Sequence, residues 1–150
     1  MTKFTAPVAV VVLIARIENG VRRILLQRRQ NTGFGDGMWD FACSGHVEEG
    51  ESMTEACVRE CREELGIIAE AQRFKLFTLI YKRDGDITYV NPYFYLTEYY
   101  AKPVIMEHNK YSELKWFNED DLPDDLLDDR RQAYEAFLKG IPFIEYGWKK

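Results

Sequence analysis

The segment from residue 45 to residue 67, GHVEEGESMTEACVRECREELGI, constrains the fold more than any other part of the chain. Ser52 and Glu55 have the spacing of a capping box, in which the hydroxyl and the carboxylate pair free backbone N–H groups at a helix start. Gly66 stands where the residue after a helix commonly turns left-handed. The segment therefore predicts a helix over residues 53–65, preceded by a loop with a glycine at each end.

On a helical wheel this helix has an acidic face beside its apolar face. The apolar face contains Cys57, Val58, Cys61 and Leu65. The acidic face contains Glu60, Glu63 and Glu64, whose carboxylates converge and repel one another by up to about 4 kcal/mol per close pair at a half-buried boundary. Arg59 offsets only part of this repulsion. Two interpretations remain open, a solvated acidic face or a site for a divalent cation, and the oxygen ligands suit Mg²⁺ or Mn²⁺.

The rest of the chain alternates strands with turn signals and one further helix. Asn19-Gly20 and Asp84-Gly85 each stand between apolar runs and predict β-hairpins. The predicted strands cover residues 6–17, 22–29, 39–43, 73–82, 87–98 and 112–117, and the second helix covers residues 126–138. This order predicts one α/β domain over residues 1–150, in which helices pack on a mixed sheet.

Composition excludes several classes of protein. A formal net charge of −5 argues against binding to a nucleic-acid polymer, because counterion release needs clustered lysines and arginines. The three cysteines are an odd number and lack a partner pattern for zinc, so we expect reduced, buried thiols. No apolar run reaches the roughly 18 residues that a membrane span needs. We therefore expect no membrane partner and a cytoplasmic location.

Residues 45–67 resemble the Nudix box, which consists of Gly, five residues, Glu, seven residues, Arg-Glu, an aliphatic residue, any residue, Glu-Glu, any residue, Gly and an aliphatic residue. The seven fixed letters match at Gly45, Glu51, Arg59, Glu60, Glu63, Glu64 and Gly66. At about one chance in 15 for each position, the combined match has a chance near one in 10⁸. Cys61 replaces the usual larger aliphatic residue and acts there as a small hydrophobe.

The resemblance extends beyond the box and implies a fold and an activity. Residues 27–40, and Trp116-Phe117 with the acidic loop that follows, are similar to the same regions of MutT-like members. The implied fold is the Nudix α/β/α sandwich with a central mixed β-sheet. The implied activity is the Mg²⁺-dependent hydrolysis of a nucleoside diphosphate linked to another group, with Mn²⁺ as an alternative ion.

The resemblance also assigns roles within the box. The glutamates at 60, 63 and 64 would bind Mg²⁺, together with the carbonyl of Gly45. Arg59 would orient a glutamate, and Glu51 and Gly50 would hold the loop against the helix. The general base would be Glu63 or Glu64.

Outside the box four residues are candidates for substrate contacts or for the base. Arg29 would bind a phosphate, with a solvated or ion-paired arginine as the alternative. His46 follows Gly45 and would contact a phosphate, and Glu107 is a second candidate base. For each of these two residues the alternative is an ordinary loop residue, solvated in the case of Glu107 and structural or solvated in the case of His46, and most such loop residues are of that kind. Trp116 would line a base pocket, although aromatic residues in strands mostly pack in the core.

These observations leave three hypotheses for function. The first is hydrolysis of a nucleoside triphosphate, (d)NTP, to the monophosphate and pyrophosphate. The second is the same chemistry on ADP-ribose, a nucleotide sugar or a dinucleoside polyphosphate. The third is a non-catalytic Nudix-like binding module, although such modules typically lose box glutamates that this chain keeps. The expected partner is a small-molecule nucleotide, and a homodimer is compatible with the aromatic-rich strands.

Overall fold

A computed structural model describes residues 2–149 of the chain. Within these residues the strands are β1 (Ala9–Glu18), β2 (Val21–Arg29), β3 (Trp39–Phe41), β4 (Cys43–His46), β5 (Lys75–Asp84), β6 (Ile87–Leu96), β7 (Tyr111–Asn118) and β8 (Phe143–Tyr146). The α-helices are α1 (Met53–Leu65) and α2 (Asp128–Lys139). In this described part no helix combines the length and the apolar character that crossing a membrane would require.

The strands form one mixed sheet in the order β3-β2-β1-β6-β5-β8, with β4 added to β1 and β7 added to β2. The first half of β1 pairs antiparallel with β4, while its middle pairs parallel with β6. The second half of β1 forms an antiparallel hairpin with β2. Because β1 changes partners along its length, it holds β2, β4 and β6 next to one another, and residues of these strands line the cavity described below.

Each helix covers one face of the sheet. Successive side chains of a strand point to opposite faces. Val10 and Val12 of β1 accordingly pack in one core cluster with Cys57, Cys61 and Leu65 of α1. Val11 and Leu13 pack in the other cluster with Ala133 and Tyr134 of α2. This arrangement confirms the predicted α/β/α layering around a mixed sheet.

The local signals at α1 and at the first hairpin are confirmed. The backbone N–H of Glu55 donates to Oγ of Ser52 at 3.1 Å, and the N–H of Ser52 donates to Oε1 of Glu55 at 2.9 Å. Gly66 ends the helix with a φ of 68°. Asn19 and Gly20 both have positive φ, 50° and 78°, which the tight turn between β1 and β2 requires.

Most strand ends differ from the prediction by one to three residues, and three boundaries differ because tertiary pairing overrides the local sequence pattern. Residues 43–46 form β4, since they pair with β1, whereas the sequence predicted that the loop begins at residue 45. The second hairpin turns at residues 85 and 86, and Asp84 belongs to β5. Helix α2 begins at Asp128, because the N–H of Leu127 is bonded to the carbonyl of Trp39 in an isolated bridge.

Strand β8 was not predicted. It is a four-residue strand at the edge of the sheet and pairs parallel with β5. Beyond it, Nε1 of Trp148 donates to the carbonyl of Tyr81 at 2.9 Å, and the two rings stack at 5.1 Å. These contacts join residues far apart in the chain, so no local pattern marked the strand.

Candidate active site

A cavity of about 840 Å³ opens beside the acidic face of α1. One group of its lining residues, called the acidic wall below, consists of Gly45, Glu60, Glu63, Glu64 and Glu107. A second group, called the basic wall below, consists of Arg29, Lys82 and Arg130. Sequence analysis had singled out all of the acidic wall but only Arg29 of the basic wall.

The carboxyl group of Glu60 lies directly against Gly45. A Cβ atom added to Gly45 would lie no more than 2.5 Å from all three atoms of that carboxyl group. Strand β4 therefore carries a glycine at this position because the α1 carboxylate occupies the space of a side chain. The same close approach brings the backbone of Gly45 and the carboxylate of Glu60 together at the cavity.

Arg59 connects the loop before α1 to the acidic wall. Its Nε and Nη2 donate to the two carboxylate oxygens of Glu51 at 2.7 and 3.0 Å, a bidentate pair. Nη1 donates to Glu60 at 2.6 Å and to Glu63 at 3.3 Å, and Nη2 also donates to the carbonyl of His46 at 2.9 Å. The hydrogen bonds from Arg59 lower the pKa of Glu51 to about 2. One guanidinium thus fixes both the loop and the carboxylate that covers Gly45.

Glu64 is the buried member of the acidic wall, with 4% of its surface exposed. Its carboxylate accepts hydrogen bonds from the N–H of Ser44 at 3.0 Å and from the hydroxyl of Tyr111 at 3.1 Å. Burial, reinforced by the nearby charge of Glu60, raises the pKa of Glu64 to about 8. Burial also raises the pKa of Glu60, although Arg59 opposes that shift. The negative charges of this wall are therefore unfavourable without a cation.

The donor set fits a hard divalent cation. Carboxylate and carbonyl oxygens are the ligands of Mg²⁺ and Mn²⁺, and crowded, desolvated carboxylates gain from a positive charge. Across residues 2–149 no three His, Cys, Asp or Glu side chains already form a closed set of metal ligands. The side chain of Glu63 is instead 54% exposed and paired with Arg59. Glu63 would have to leave that ion pair to join a metal.

The remaining predicted residues fall into two groups. His46 and Glu107 line the cavity, and the ring of His46 lies 6.2 Å from that of Tyr89. Gly50 turns the loop with a φ of 80°. Trp116 does not line the cavity, because it packs against the core around α1 and lies 4.2 Å under the guanidinium of Arg16.

Sequence reasoning missed the charged cluster behind the basic wall. Asp40 is fully buried and accepts hydrogen bonds from Arg29 at 2.8 Å and from Arg130 at 2.7 Å. Asp129 accepts from Lys82 at 2.9 Å and from Arg130 at 3.2 Å. One signal was available, since Asp40 stands between two buried aromatic residues of a short strand, and a charge there needs buried partners.

The chain is similar to a known protein family and to proteins of known structure. The family model of the NUDIX domain matches residues 6–137. A MutT NUDIX hydrolase from Burkholderia pseudomallei has a similar structure, with a TM-score of 0.77, 30% sequence identity and coverage of 89% of this chain and 98% of that one. The match to the family model and this structural likeness agree with the α/β/α fold described above.

Two curated proteins match over shorter segments. An isopentenyl-diphosphate Delta-isomerase from Serratia proteamaculans is 38% identical over 66 residues, which cover 43% of this chain and 37% of that protein. A CTP pyrophosphohydrolase from Escherichia coli is 46% identical over 57 residues, which cover 38% of this chain and 42% of that protein. The chain thus spans about two fifths of the length of these curated relatives.

Proposed function

The chain belongs to the Nudix family, and from that premise we propose that it is a divalent-metal-dependent pyrophosphohydrolase of nucleotides. The proposal rests mainly on one observation. The carboxylates of Glu60 and Glu64 are crowded and desolvated at a cavity, with Glu60 held over the backbone of Gly45. A structural role alone gives no compensation for this repulsion, whereas a bound cation does. The first substrate class is a (d)NTP, hydrolysed to the monophosphate and pyrophosphate.

In this proposal Glu60, Glu63, Glu64 and the carbonyl of Gly45 would hold Mg²⁺, with Mn²⁺ as a substitute. When bound, the ion supplies positive charge against the pyrophosphate and acidifies the attacking water. Arg59 keeps Glu60 in place through its 2.6 Å hydrogen bond. The chain's own groups then hold the acidic wall in one geometry before the substrate arrives.

The proton of the attacking water goes to a carboxylate of the acidic wall. Glu64 is fixed by Ser44 and Tyr111, and Glu63 is the more exposed alternative within α1. Glu107 lines the same cavity and is the candidate outside α1. Each of the three can reach water in this cavity, so the kinetics of single variants must distinguish them.

On the substrate side, Arg29 and His46 are proposed to contact phosphate groups, since both line the cavity. Arg29 is held by Asp40 and by the carbonyl of Phe34 at 2.8 Å. A fixed guanidinium binds a phosphate with less loss of side-chain entropy than a free one. Trp116 receives no substrate contact in this proposal, because it lies outside the cavity.

A substrate panel with Mg²⁺ or with EDTA tests the proposal, with products separated by chromatography. Metal-dependent release of pyrophosphate from a (d)NTP supports the first class, and two phosphomonoesters from ADP-ribose support the second. The panel includes isopentenyl diphosphate, because one relative is named as its isomerase. Isomerisation without phosphate release, or nucleotide binding without turnover, would refute a hydrolase.

Replacing single glutamates by glutamine tests which carboxylates take part in catalysis. Glu63→Gln and Glu64→Gln each remove a charge with little change in shape, and we expect kcat to fall by about two orders of magnitude or more with the fold intact. Glu135→Gln is the matched control, since Glu135 is an exposed residue of α2. Wild-type turnover in both box variants would exclude the proposed mechanism.

A further inference from the structure

The basic wall is a set of largely buried cations at the cavity, separate from the Nudix box. The side chains of Arg29, Lys82 and Arg130 are only 14%, 13% and 10% exposed. All three nevertheless line the cavity. They come from β2, β5 and α2, so the fold brings them together from distant parts of the chain. Surface arginines and lysines that merely maintain solubility are not desolvated in this way.

The charges of this cluster do not balance. Three cations are hydrogen-bonded to two carboxylates, those of Asp40 and Asp129. The further partner of Arg130 is the hydroxyl of Tyr93 at 2.8 Å, and burial raises the pKa of Tyr93, so it stays neutral. The cluster thus has one positive charge in excess. An incoming anion would offset that charge in a site where water is largely excluded.

The nearby acids Asp84 and Asp36 do not remove this excess. Asp84 also lines the cavity, two residues along β5 from Lys82, and the charge of Arg29 contributes to lowering the pKa of Asp36. Both acids are exposed, so water screens their charges. Each cation of the basic wall has more N–H donors than the hydrogen bonds described above use. Lys82 and Arg29 also approach the same ring, that of Phe34, at 5.1 and 5.5 Å. The two cations therefore face one common space.

Tyr111 connects the acidic wall to the basic wall. The hydroxyl of Tyr111 donates to Glu64, while the backbone of Tyr111 pairs with that of Arg29 in the β2–β7 ladder. Phosphoryl groups bonded to a phosphorus atom at the acidic wall would extend toward the basic wall. A neutral sugar at the same place would leave the excess cation without a partner.

From these observations we propose that Lys82 and Arg130, with Arg29, form an anion subsite for the phosphoryl groups beyond the bond that is broken. Asp40 and Asp129 are positioning residues that hold the cations. The inference rests on the proposed function and narrows it, because the favoured substrates are nucleotides whose phosphate chain continues past that bond. A nucleoside triphosphate has two phosphoryl groups past its α–β bond, whereas a nucleotide sugar has only one, which is esterified to the sugar.

The test compares Lys82→Gln and Arg130→Lys with matched controls. Lys115→Gln controls for Lys82, because Nζ of Lys115 also lies 5.1 Å from a phenylalanine ring but outside the cavity lining. Arg22→Lys controls for Arg130, because Arg22 also forms a partly buried ion pair, with Glu119, away from the cavity lining. Lys82→Gln keeps the test valid if Arg130→Lys does not fold, since Lys82 bonds one carboxylate only.

Two measurements are made on each protein. The first is titration calorimetry with inorganic tripolyphosphate in the presence of EDTA. It measures the Kd of the subsite for a phosphate chain when neither metal binding nor turnover can contribute. We expect the Kd to rise by about tenfold in Lys82→Gln and Arg130→Lys and to stay within about twofold in the controls. The second measurement is the ratio of kcat/KM for a nucleoside triphosphate to that for the matching diphosphate. We expect this ratio to fall by about tenfold in the same two variants.

The outcomes separate the two proposals. An equal loss on both nucleotides with an unchanged tripolyphosphate Kd would show that the cluster is only structural and would overturn the subsite. Hydrolysis with an unchanged ratio would overturn the subsite and leave the proposed function standing. Tripolyphosphate binding that depends on Lys82, without hydrolysis of any nucleotide, would overturn the proposed function and support the subsite.

Discussion

Replacement of Gly45 by alanine tests the geometry of the acidic wall more directly than removal of a carboxylate. The added Cβ atom would lie no more than 2.5 Å from all three carboxyl atoms of Glu60. Non-bonded carbon atoms pack at roughly 3.5–4 Å, so the carboxyl group must move by more than about 1 Å. The obstructing group is the end of a flexible side chain, so Glu60 will move before β4 does.

The expected cost in stability is small and the expected cost in function is large. Moving Glu60 breaks its 2.6 Å hydrogen bond with Arg59, and a bond to a charged group contributes about 1.5–3 kcal/mol. The carboxylate of Glu60 is partly desolvated in the native structure, as its raised pKa indicates, and it is hydrated again as it moves outward. This hydration offsets part of the free energy lost with the hydrogen bond. We therefore expect the free energy of unfolding to fall by about 1–2 kcal/mol. Since a 1 Å misplacement of a catalytic group can cost about 10²-fold, we expect kcat/KM to fall at least that much.

Urea denaturation and a Mg²⁺ titration of activity measure the two effects separately. Gly20→Ala is the control, because Gly20 has a φ of 78° in an open hairpin turn and its replacement costs stability without any contact near the site. An L-residue in that conformation costs about 1–2 kcal/mol. Gly20→Ala should therefore lose stability and keep its activity. Full activity in Gly45→Ala, or a loss of activity no larger than in Gly20→Ala, would refute the reasoning.

Three further predictions concern charge and thiol burial. Asp40→Asn removes the carboxylate charge that Arg29 and Arg130 share, so we expect the free energy of unfolding in urea to fall by about 3–5 kcal/mol, and a loss below about 1 kcal/mol would contradict this. The pKa of Glu51 lies at about 2 because Arg59 donates hydrogen bonds to it, so the stability from this pair is full above pH 4.5, the ordinary pKa, and is lost as the pH falls toward 2. Urea midpoints of wild type and Glu51→Gln should converge over that interval, and a constant difference would contradict the assignment. All three cysteines are buried, so the native protein should resist Ellman's reagent and react fully only when unfolded, and rapid native labelling would exclude this packing.

Elements that local residues specify were predictable from the sequence. Helix α1 was placed correctly because Ser52, Glu55 and Gly66 act within a few residues of the backbone groups that they pair. The first hairpin was correct for the same reason, since only Asn19 and Gly20 determine its turn. Strand β8 and the start of α2 depend on partners more than 60 residues away, so their limits are set by tertiary pairing.

The same distinction explains which parts of the cavity were predictable. The acidic wall is largely one helix face, so the spacing of its glutamates is visible in the sequence. The basic wall depends on Asp40 and Arg130, which are 90 residues apart. Arg130 stands in the polar run DDRR, where a solvated helix face is the ordinary prediction. Only the packing of α2 against the sheet makes it a buried residue.

The two walls together explain how an acidic chain would bind the anionic substrate proposed above. Residues 48–64 contain seven glutamates and two arginines, a local charge of −5 that equals the formal charge of the whole chain. Arg59 lies within 4.0 Å of four of these glutamates and can neutralise only one charge, so the acidic wall repels phosphate until a cation binds there. The basic wall, which Tyr111 connects to the acidic wall, has the opposite excess. Within the cavity a polyphosphate would therefore approach the metal-free protein at the basic wall, and metal binding should strengthen its attachment at the acidic wall.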